Sequence, residues 1–377
     1  MTTKTNTCQD KKILVMSFGS DAGGIEKSLI EFLKFLIAEG HKVDLYLWRP
    51  PGIMFDKIPE EVNVVSAKLY PGAFSSNNST TEIIWYGLFR MFSALNNPTI
   101  IFRRFPIINY DIAISYCQNG YSPHYIINKV NAGKKIIFYH HGSYDGQRLK
   151  KKIDYRYFCC YDNFITVSNA AKEMLYGHFP KLNHIQVINN LTDEAGIIRL
   201  SKINNPFNSD SRQINICTVG RVSPEKGQLL AINAAKRLKD FGLDFKWWFV
   251  GDGGDKDRCI ELSKELDVAD CCVFTGVKSN PYPYILNCDI YVQPSYVEAD
   301  PVTIREALIL ESDIVATDIP AIREALCDGR YGRLCAIEPR DMAQSILSRL
   351  NKMPDNSKRA YQCPNDKIKK QLRQLLQ

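Results

Sequence analysis

The feature that most constrains the fold is a repeated alternation of short apolar runs, glycine-containing loops and segments with helical periodicity. The first repeat reads KKILVMSF, then GSDAGG, then IEKSLIEFLKFLIAEG, after which HKVDLYLW returns to a strand pattern. Strand, loop, helix and strand in this order form one βαβ unit of a parallel sheet. The alternation therefore predicts an α/β fold of the doubly wound type.

The alternation is interrupted once, in a segment rich in Asn and Ser, NLTDEAGIIRLSKINNPFNSDSRQ, which has no clear period. At 377 residues the chain is also too long for one ordinary hydrophobic core. We therefore predict two Rossmann-like domains facing a cleft, at 1–195 and 196–361, with a helix at about 362–377 that packs back on the first. Sheets of this kind bind ligands beyond the carboxyl ends of their strands, here in the cleft.

Several protein classes are disfavoured by composition. No run of eighteen uncharged apolar residues is present, and the polar start MTTKTNTCQDKK lacks the apolar core of a secretory signal, so we predict a cytoplasmic location. The twelve cysteines form no CxxC pair and most lie in apolar runs, which argues against a zinc ribbon and favours reduced core thiols.

The net charge of +7 is concentrated in the first half of the chain. Residues 1–190 carry 22 Lys and Arg against 15 Asp and Glu, whereas residues 191–377 carry 26 of each. The first half is therefore expected to meet an anion: a membrane surface, a phosphorylated substrate or nucleic acid. No aromatic-basic motif of a nucleic-acid module occurs in it, so nucleic acid is not expected as a partner.

Two segments of the first half suit an anionic membrane surface. Residues 82–108 alternate apolar residues with arginines, and RLKKKIDYRY, at 148–157, is strongly basic. A solvated face over a core helix explains the same pattern equally well. If the membrane interpretation holds, the contacts are expected from the basic residues Arg103, Arg104, Lys150, Lys151 and Lys152.

The stretch TVGRVSPEKG, from Thr218 to Gly227, places two cations just after a strand. Arg221 and Lys226 at the carboxyl end of a strand can neutralise a diphosphate without a metal, although a solvated basic loop would have the same sequence pattern. The later stretch FVGDGGDKDR does not satisfy the GxGxxG fingerprint. It predicts a simple turn with a helix N-cap rather than a dinucleotide site.

Two glutamates flank a predicted helix start in VEADPVTIREAL. Glu298 lies in a loop at the carboxyl end of a strand, and Glu306 lies about one turn into the helix that starts near Thr303. The N-terminus of that helix suits a phosphate, and Glu306 can accept two adjacent hydroxyls. One carboxylate for a sugar and one for a ribose explains the spacing. In FTGVKSN, the backbone at Val277 and Lys278 can pair with the edge of a nucleobase.

Together these segments resemble the GT-B glycosyltransferases of family 4. The landmarks GGIEKSLIEFLKFLIAEGHKV, VGRVSPEKG and FTGV are followed by two glutamates with seven residues between them and by IVATDIPAIRE, so the resemblance covers nearly the whole chain. It implies a retaining transfer from a nucleotide sugar, with no metal or other cofactor. The first domain would face the acceptor and the second would bind the donor.

The resemblance also implies residue roles. Arg221 and Lys226 would grip the donor diphosphate, Glu298 the hydroxyls of the donor sugar, and Glu306 the nucleotide ribose. His140 would lie near the transferred sugar, with His141 as the alternative register. Further contacts to the substrates are expected from Gly23, Gly24, Gly220, Val277, Lys278, Asp300, Val302 and Thr303.

The chain departs from the family pattern in two places. Ala299, Asp300 and Pro301 replace the usual Gly-Phe-Gly, and Pro301 cannot donate a backbone N–H. Asp300 is expected to cap the following helix or, as the alternative, to bind the sugar. In the first domain, Gln118, Asn119 and Gly120 stand where bacterial polysaccharide relatives have Glu-Gly.

The expected function is transfer of a hexose, from a UDP-linked donor, to a growing and possibly lipid-linked surface glycan such as lipopolysaccharide or capsule. The enzyme would work at the inner face of the cytoplasmic membrane. Two alternatives stay open: a UDP-sugar epimerase of the same architecture, and a catalytically silent sugar-nucleotide binding protein.

Overall fold

The computed structural model describes residues 10–17, 23–47, 52, 54–66, 107–118, 122–140, 148–207, 213–351 and 361–377. Contacts divide the chain into two compact units. The first unit is Met1–Leu191 together with Asn365–Gln377, and the second unit is Thr192–Pro364. The basic segment at 82–108, including Arg103 and Arg104, lies outside the described residues apart from its last two positions.

The first unit is built on a seven-stranded sheet. Its strands are β1 (Lys12–Ser17), β2 (Lys42–Leu47), β3 (Asn63–Ser66), β4 (Ile108–Ser115), β5 (Val130–Tyr139), β6 (Asn163–Thr166) and β7 (Ile185–Val187). The described α-helices of its Met1–Leu191 part are α1 (Gly24–Ala38), α2 (Ser122–Lys129), α3 (Arg148–Phe158) and α4 (Asn169–His178), and Phe55–Lys57 forms a 3₁₀ turn.

All pairings in this sheet are parallel, in the order β3-β2-β1-β4-β5-β6-β7. Central strand β1 is buried along nearly its whole length because helices cover both faces of a parallel sheet, which is why its sequence is a continuous apolar run. Helix α1 buries Leu29, Phe32, Leu33 and Leu36 against it, at the helical spacing that the sequence shows.

The second unit is built on a six-stranded parallel sheet. Its strands are β8 (Ile214–Val219), β9 (Phe245–Val250), β10 (Cys272–Gly276), β11 (Ile290–Gln293), β12 (Ile314–Thr317) and β13 (Arg333–Cys335). Its α-helices are α5 (Glu194–Ser201), α6 (Gln228–Asp240), α7 (Lys256–Glu265), α8 (Tyr282–Asn287), α9 (Val302–Ile309), α10 (Pro320–Ala325) and α11 (Pro339–Leu350), and Pro224–Lys226 forms a 3₁₀ turn.

The strand order of this sheet is β10-β9-β8-β11-β12-β13. The order reverses between β8 and β11, as it does between β1 and β4 in the first unit. Such a switch point leaves a crevice at the carboxyl ends of the two central strands, where doubly wound sheets bind ligands. The predicted α/β class, with two doubly wound parallel sheets, is confirmed.

The core of the second unit contains a fully buried tryptophan. Trp247 on β9 is fully buried, its ring stacks on Phe249 with centroids 5.7 Å apart, and its indole N–H donates to Thr218 Oγ1 at 3.0 Å. A buried indole needs such a partner for its one polar atom. The contact ties β9 to β8, the strand after which Arg221 and Lys226 follow.

The chain returns to the first unit through α12 (Asn365–Leu376). Its apolar stripe, Ile368, Leu372, Leu375 and Leu376, is buried in the same cluster as β1 and α1. Arg373 forms two hydrogen bonds of 2.9 Å with the Glu39 carboxylate, and Lys134 Nζ donates to the Leu375 carbonyl at 3.0 Å. A lysine at the last helical turn satisfies a carbonyl that has no partner within the helix.

No helix among the described residues is both long enough and apolar enough to cross a membrane.

Candidate functional site

Two loops meet at the switch point of the second unit. One follows β8 and holds residues 220–227, and the other follows β11 and holds residues 294–301. Because β8 and β11 are adjacent parallel strands, their carboxyl ends lie side by side. The two loops carry most of the charged residues that the sequence analysis assigns to this unit.

An ion pair joins the loops. Lys226 Nζ lies 2.7 Å from Oε1 and 2.8 Å from Oε2 of Glu298, so the ammonium bridges both carboxylate oxygens. The Glu298 side chain is only 7% exposed, whereas the Lys226 side chain is 27% exposed. The sequence separates these residues by more than seventy positions, and the fold places them in direct contact.

Oε1 of Glu298 accepts two further hydrogen bonds. Gln293 Nε2 donates to it at 3.0 Å and Ser295 Oγ donates to it at 2.8 Å. Charge-assisted hydrogen bonds of this kind are stronger than neutral ones, and together they offset the cost of burying a carboxylate. Glu298 is therefore held in one orientation by groups on both loops.

Gln293 itself uses every hydrogen-bonding position of its amide. Its Nε2 also donates to Ser295 Oγ at 2.9 Å, and its Oε1 accepts from Tyr291 Oη at 2.7 Å and from Thr303 Oγ1 at 3.0 Å. Burial raises the pKa of the Tyr291 phenol well above its ordinary value, so this group stays protonated as a donor. Because the Glu298 carboxylate can only accept hydrogen bonds, the Gln293 amide must direct its Nε2 toward Glu298 and its Oε1 toward Tyr291 and Thr303.

A glycine brings the two loops together. Gly227 has φ +69°, a left-handed conformation, and a Cβ at this position would lie 2.0 Å from the carbonyl oxygen of Pro294. The Glu225 carbonyl accepts the Tyr296 amide at 2.9 Å, which is a second direct bond between the loops. The buried Gln228 donates to the Arg221 carbonyl at 2.8 Å and so fixes the start of the first loop.

Arg221 lies at the exposed end of the first loop. Its guanidinium makes no hydrogen bond or ion pair with any residue in the described part of the chain. It is the less restrained of the two cations after β8, while Lys226 is held by Glu298. The neighbouring Gly220 follows β8 directly, and its amide donates to the Val250 carbonyl at 3.0 Å.

The glycine-rich turn after β9 serves backbone packing. A Cβ on Gly251 would lie 1.9 Å from the Gly220 carbonyl oxygen, and one on Gly253 would lie 2.1 Å from that of Val222. The turn is therefore glycine-rich because it passes directly against the loop that carries Arg221. The turn leads into a helix as predicted, with Asp255 at the N-cap of α7, where its carbonyl accepts from the Cys259 N–H at 2.9 Å but its side chain makes no capping bond.

Glu306 is placed on α9 with 1% of its surface exposed, and Tyr282 Oη lies 3.4 Å from its Oε1. Val302 and Thr303 form the start of the same helix. Val277 and Lys278 follow β10, where both are exposed. Val277 and Lys278 thus lie at the carboxyl end of β10, and Glu306 lies in the helix that follows β11, as the sequence pattern indicates. Their roles toward a ligand stay predictions.

Asp300 does not cap α9. Residue Pro301 occupies the N-cap position without a side-chain capping bond, and Asp300 instead pairs with Arg305, Oδ1 to Nη2 at 2.6 Å. Both side chains are more than nine-tenths buried. Burial lowers the pKa of Arg305, but the adjacent Asp300 carboxylate outweighs it and the pKa lies above its ordinary value. The preferred expectation of a cap is therefore wrong, because the arginine four residues into α9 supplies a stronger partner.

In the first unit, His140 lies directly after β5 and is 3% exposed. Its backbone N–H donates to Gln118 Oε1 at 3.1 Å, and its Nε2 lies 2.9 Å from the Tyr116 carbonyl oxygen. A carbonyl can only accept, so Nε2 carries the proton. Gly23 is the N-cap of α1 and Gly24 its first residue. His141, Asn119 and Gly120 lie outside the described residues.

Sequence reasoning did not single out Gln293, Ser295, Tyr291, Gln228 or Gly227 as parts of this site. A polar residue ending an apolar strand, as in YVQPS, is the one signal that was available for Gln293. Among the described residues, no cluster of three or more His, Cys, Asp or Glu side chains could hold a metal ion.

We predict that Gly227→Ala destabilises the second unit more than Gly242→Ala does. Both glycines have a positive φ, at +69° and +77°, so both substitutions carry the left-handed penalty of about 1 kcal/mol. Only Gly227 has a backbone oxygen in the place of the new Cβ, whereas Gly242 has nothing within 4 Å. Urea denaturation measures the free energy of unfolding of the two variants. An equal loss in both would show that the close approach of Gly227 to the Pro294 carbonyl does not hold the two loops together.

Both halves of the chain match family models. Residues 22–195 match the model described as Glycosyltransferase Family 4, and residues 201–366 match the one described as Glycosyl transferases group 1. An uncharacterized glycosyltransferase of Methanocaldococcus jannaschii is 29% identical over 181 residues, which are 46% of this chain and 44% of that protein.

A second relative is the N-acetylgalactosamine-N,N'-diacetylbacillosaminyl-diphospho-undecaprenol 4-alpha-N-acetylgalactosaminyltransferase of Campylobacter jejuni. It is 30% identical over 148 residues, 39% of each chain. The match thus spans less than half the length of either relative. Among solved structures, Anabaena HepE in complex with UDP and glucose has a TM-score of 0.71 at 17% identity, covering 97% of this chain and 99% of that one. Two matching models over nearly the whole sequence and a shared GT-B fold show that the chain belongs to glycosyltransferase family 4.

Proposed function

We propose that this protein transfers a hexose from a nucleotide diphosphate sugar, UDP-linked, to a growing lipid-linked surface glycan, with retention of configuration and without a metal ion. The observation that carries the proposal is the Lys226–Glu298 pair at the switch point of the second unit, whose lysine lies in the same loop as Arg221.

The pair matches the chemistry of a sugar diphosphate. In such a donor the β-phosphate is bonded directly to the anomeric carbon, so a diphosphate ligand and a sugar ligand must be neighbours in the protein. Lys226 and Glu298 are in contact at 2.7 Å. Lys226 and the exposed Arg221 would bind the phosphates, and Glu298 the hexose hydroxyls. Charge builds up on the diphosphate as it leaves, and fixed cations stabilise it without reorganisation.

Glu306 would bind the other end of the donor. It lies eight residues after Glu298, on α9, and is anchored there by burial and by Tyr282. A carboxylate can accept from the two adjacent hydroxyls of a ribose. The ribose does not change during transfer, so this contact would contribute equally to the ground state and the transition state. Support for uracil as the base of the donor comes from Anabaena HepE, whose crystal structure contains UDP and glucose.

Retention is proposed to follow a front-face course, in which the leaving diphosphate helps to deprotonate the acceptor hydroxyl. Glu298 is occupied by three donors at Oε1, which suits an orienting group rather than a nucleophile. His140 has Nε2 committed to the Tyr116 carbonyl, which suits a positioning role in the first unit. Catalysis would then consist of orientation together with stabilisation of the departing diphosphate.

A lipid-linked acceptor is supported from two sides. The Campylobacter relative acts, by its name, on a diphospho-undecaprenol saccharide. In this chain, α3 carries five basic residues, of which Arg148, Lys152 and Arg156 are exposed. Lys150 lies 3.9 Å from Asp154 and Lys151 lies over the Phe179 ring, so these two are partly engaged. An exposed basic helix would bring the protein to anionic lipids that hold the acceptor.

The proposed reaction is tested by incubating the protein with a panel of nucleotide sugars, a lipid-linked saccharide extract and EDTA. We expect release of free UDP together with a glycolipid heavier by one hexose, at an undiminished rate in EDTA because Arg221 and Lys226 supply the positive charge. Mass spectrometry identifies both products. Activity that is lost in EDTA and restored by Mn²⁺ would contradict metal independence. An isomerised donor without acceptor would indicate an epimerase, and UDP binding without turnover a silent binding protein.

The two glutamates should differ in what they bind. We predict that Glu306→Ala weakens UDP itself by about 1.5–3 kcal/mol, the contribution of a hydrogen bond to a charged group, and raises the donor KM more than it lowers kcat. Glu298→Ala should leave UDP affinity nearly unchanged and lower kcat instead. Isothermal titration with UDP and steady-state kinetics separate the two. An equal loss of UDP binding in both variants would remove the assigned roles.

Membrane association should depend on α3. We predict that reversing the charges of Lys151, Lys152 and Arg156 to glutamate releases the protein from anionic liposomes at low salt, because basic residues near such a surface each contribute about 1 kcal/mol. Lys150 is left intact because of its contact with Asp154. A matched control reverses the exposed residues Arg237, Lys264 and Arg340 of the second unit. Sedimentation with liposomes measures binding, and equal retention of both triple variants would contradict the proposal.

A further inference from the structure

We propose that Gln293 is a positioning residue for the transfer step: its side-chain amide fixes Oε1 of Glu298, so that Oε2 is the oxygen directed to the donor sugar. This inference rests on the proposed function, because it concerns how Glu298 is held while it contacts the hexose. Gln293 is 2% exposed, and its side-chain amide makes four hydrogen bonds, all between 2.7 and 3.0 Å.

The hydrogen bonds around Gln293 all run in one direction. Tyr291 and Thr303 donate to its Oε1, and its Nε2 donates onward to Glu298 and Ser295. Ser295 Oγ in turn donates to Glu298 Oε1 at 2.8 Å. Bonds aligned in series polarise one another, so the two hydroxyls on the far side of Gln293 strengthen its donation to the carboxylate. The phenol of Tyr291, whose pKa is raised by burial, stays protonated and keeps this direction.

The same arrangement divides the work between the two oxygens of Glu298. Oε1 accepts from Lys226, Gln293 and Ser295, which takes up its hydrogen-bonding capacity. Oε2 accepts from Lys226 alone among these groups, at 2.8 Å. A sugar hydroxyl therefore meets Oε2, beside the ammonium that would bind the phosphate. Because Thr303 is on α9, Gln293 also joins the Glu298 loop to the helix that carries Glu306.

A positioning role predicts that Gln293 acts through Glu298 and through nothing else. The test is a double-mutant cycle with Gln293→Met, which keeps an unbranched side chain of similar length, and Glu298→Ala. We expect Gln293→Met to lower kcat about tenfold in the wild-type background, as loss of one ordinary hydrogen bond would. In the Glu298→Ala background it should have no effect on kcat. UDP affinity should change by less than about twofold in Gln293→Met, since the UDP portion does not reach Glu298.

The control is Thr218→Val, a variant of a buried hydroxyl on the neighbouring strand. Thr218 Oγ1 accepts from Trp247 and donates to the Val292 carbonyl, so its loss also leaves a buried donor without a partner. It should lower the melting temperature and leave kcat unchanged. Tyr291→Phe, which removes one donor to Gln293 and keeps Thr303, should lower kcat less than Gln293→Met does. If Gln293→Met does not fold, Tyr291→Phe replaces it in the cycle: a fall in kcat that disappears in the Glu298→Ala background supports the inference, and an unchanged kcat contradicts it.

The possible results distinguish failure of the inference on Gln293 from failure of the proposed function. If the wild-type protein turns over a nucleotide sugar and Gln293→Met retains wild-type kcat, the inference on Gln293 is wrong and the proposed function stands. If Gln293→Met lowers kcat equally with and without Glu298, the residue is structural and the inference is also wrong. If the wild-type protein binds UDP but transfers nothing, the proposed function fails and the inference falls with it.

Discussion

The candidate site of the second unit depends on one contact, the ion pair between Lys226 and Glu298. Lys226 and Glu298 lie in loops several residues beyond the ends of β8 and β11, so neither strand fixes its side chain directly. The two side chains nevertheless lie 2.7 Å apart. A nearly buried carboxylate is costly unless it is neutralised and hydrogen-bonded. Lys226 provides the charge, and Gln293 and Ser295 provide the remaining bonds. The residues that surround the pair can largely be understood as conditions for this contact.

Backbone packing supplies the first of those conditions. Gly227, Gly251 and Gly253 each stand where a side chain would collide with a carbonyl oxygen of a neighbouring loop. These glycines let three loops at the carboxyl edge of one sheet approach within backbone contact. The sheet order brings the loops to the same edge, and the missing side chains let them touch. The glycine-rich turn after β9 therefore supports the Arg221 loop from behind and needs no ligand to explain it.

Much of this arrangement could be predicted from the sequence. Short apolar runs locate the strands: the run ending in Gly220 places Arg221 and Lys226 after one strand, and the run ending at Pro294 and Ser295 places Glu298 after another. What could not be predicted are the contacts that depend on side-chain direction. Gln293 ends a strand of four residues, all buried, and nothing in its neighbours shows that its amide faces Glu298. Asp300 precedes a helix and reads as a cap, but Arg305 is buried alongside it and takes the carboxylate.

We propose that a diphosphate is recognised at the Lys226–Glu298 pair. The most direct measurement compares the affinities of UDP and uridine by isothermal titration, in the wild-type protein and in Lys226→Met. We expect the wild-type protein to bind UDP much more tightly than uridine, and we expect Lys226→Met to reduce this affinity ratio at least tenfold without changing the affinity for uridine. An unaltered preference for UDP in Lys226→Met would contradict this proposal, because the diphosphate would then be bound elsewhere.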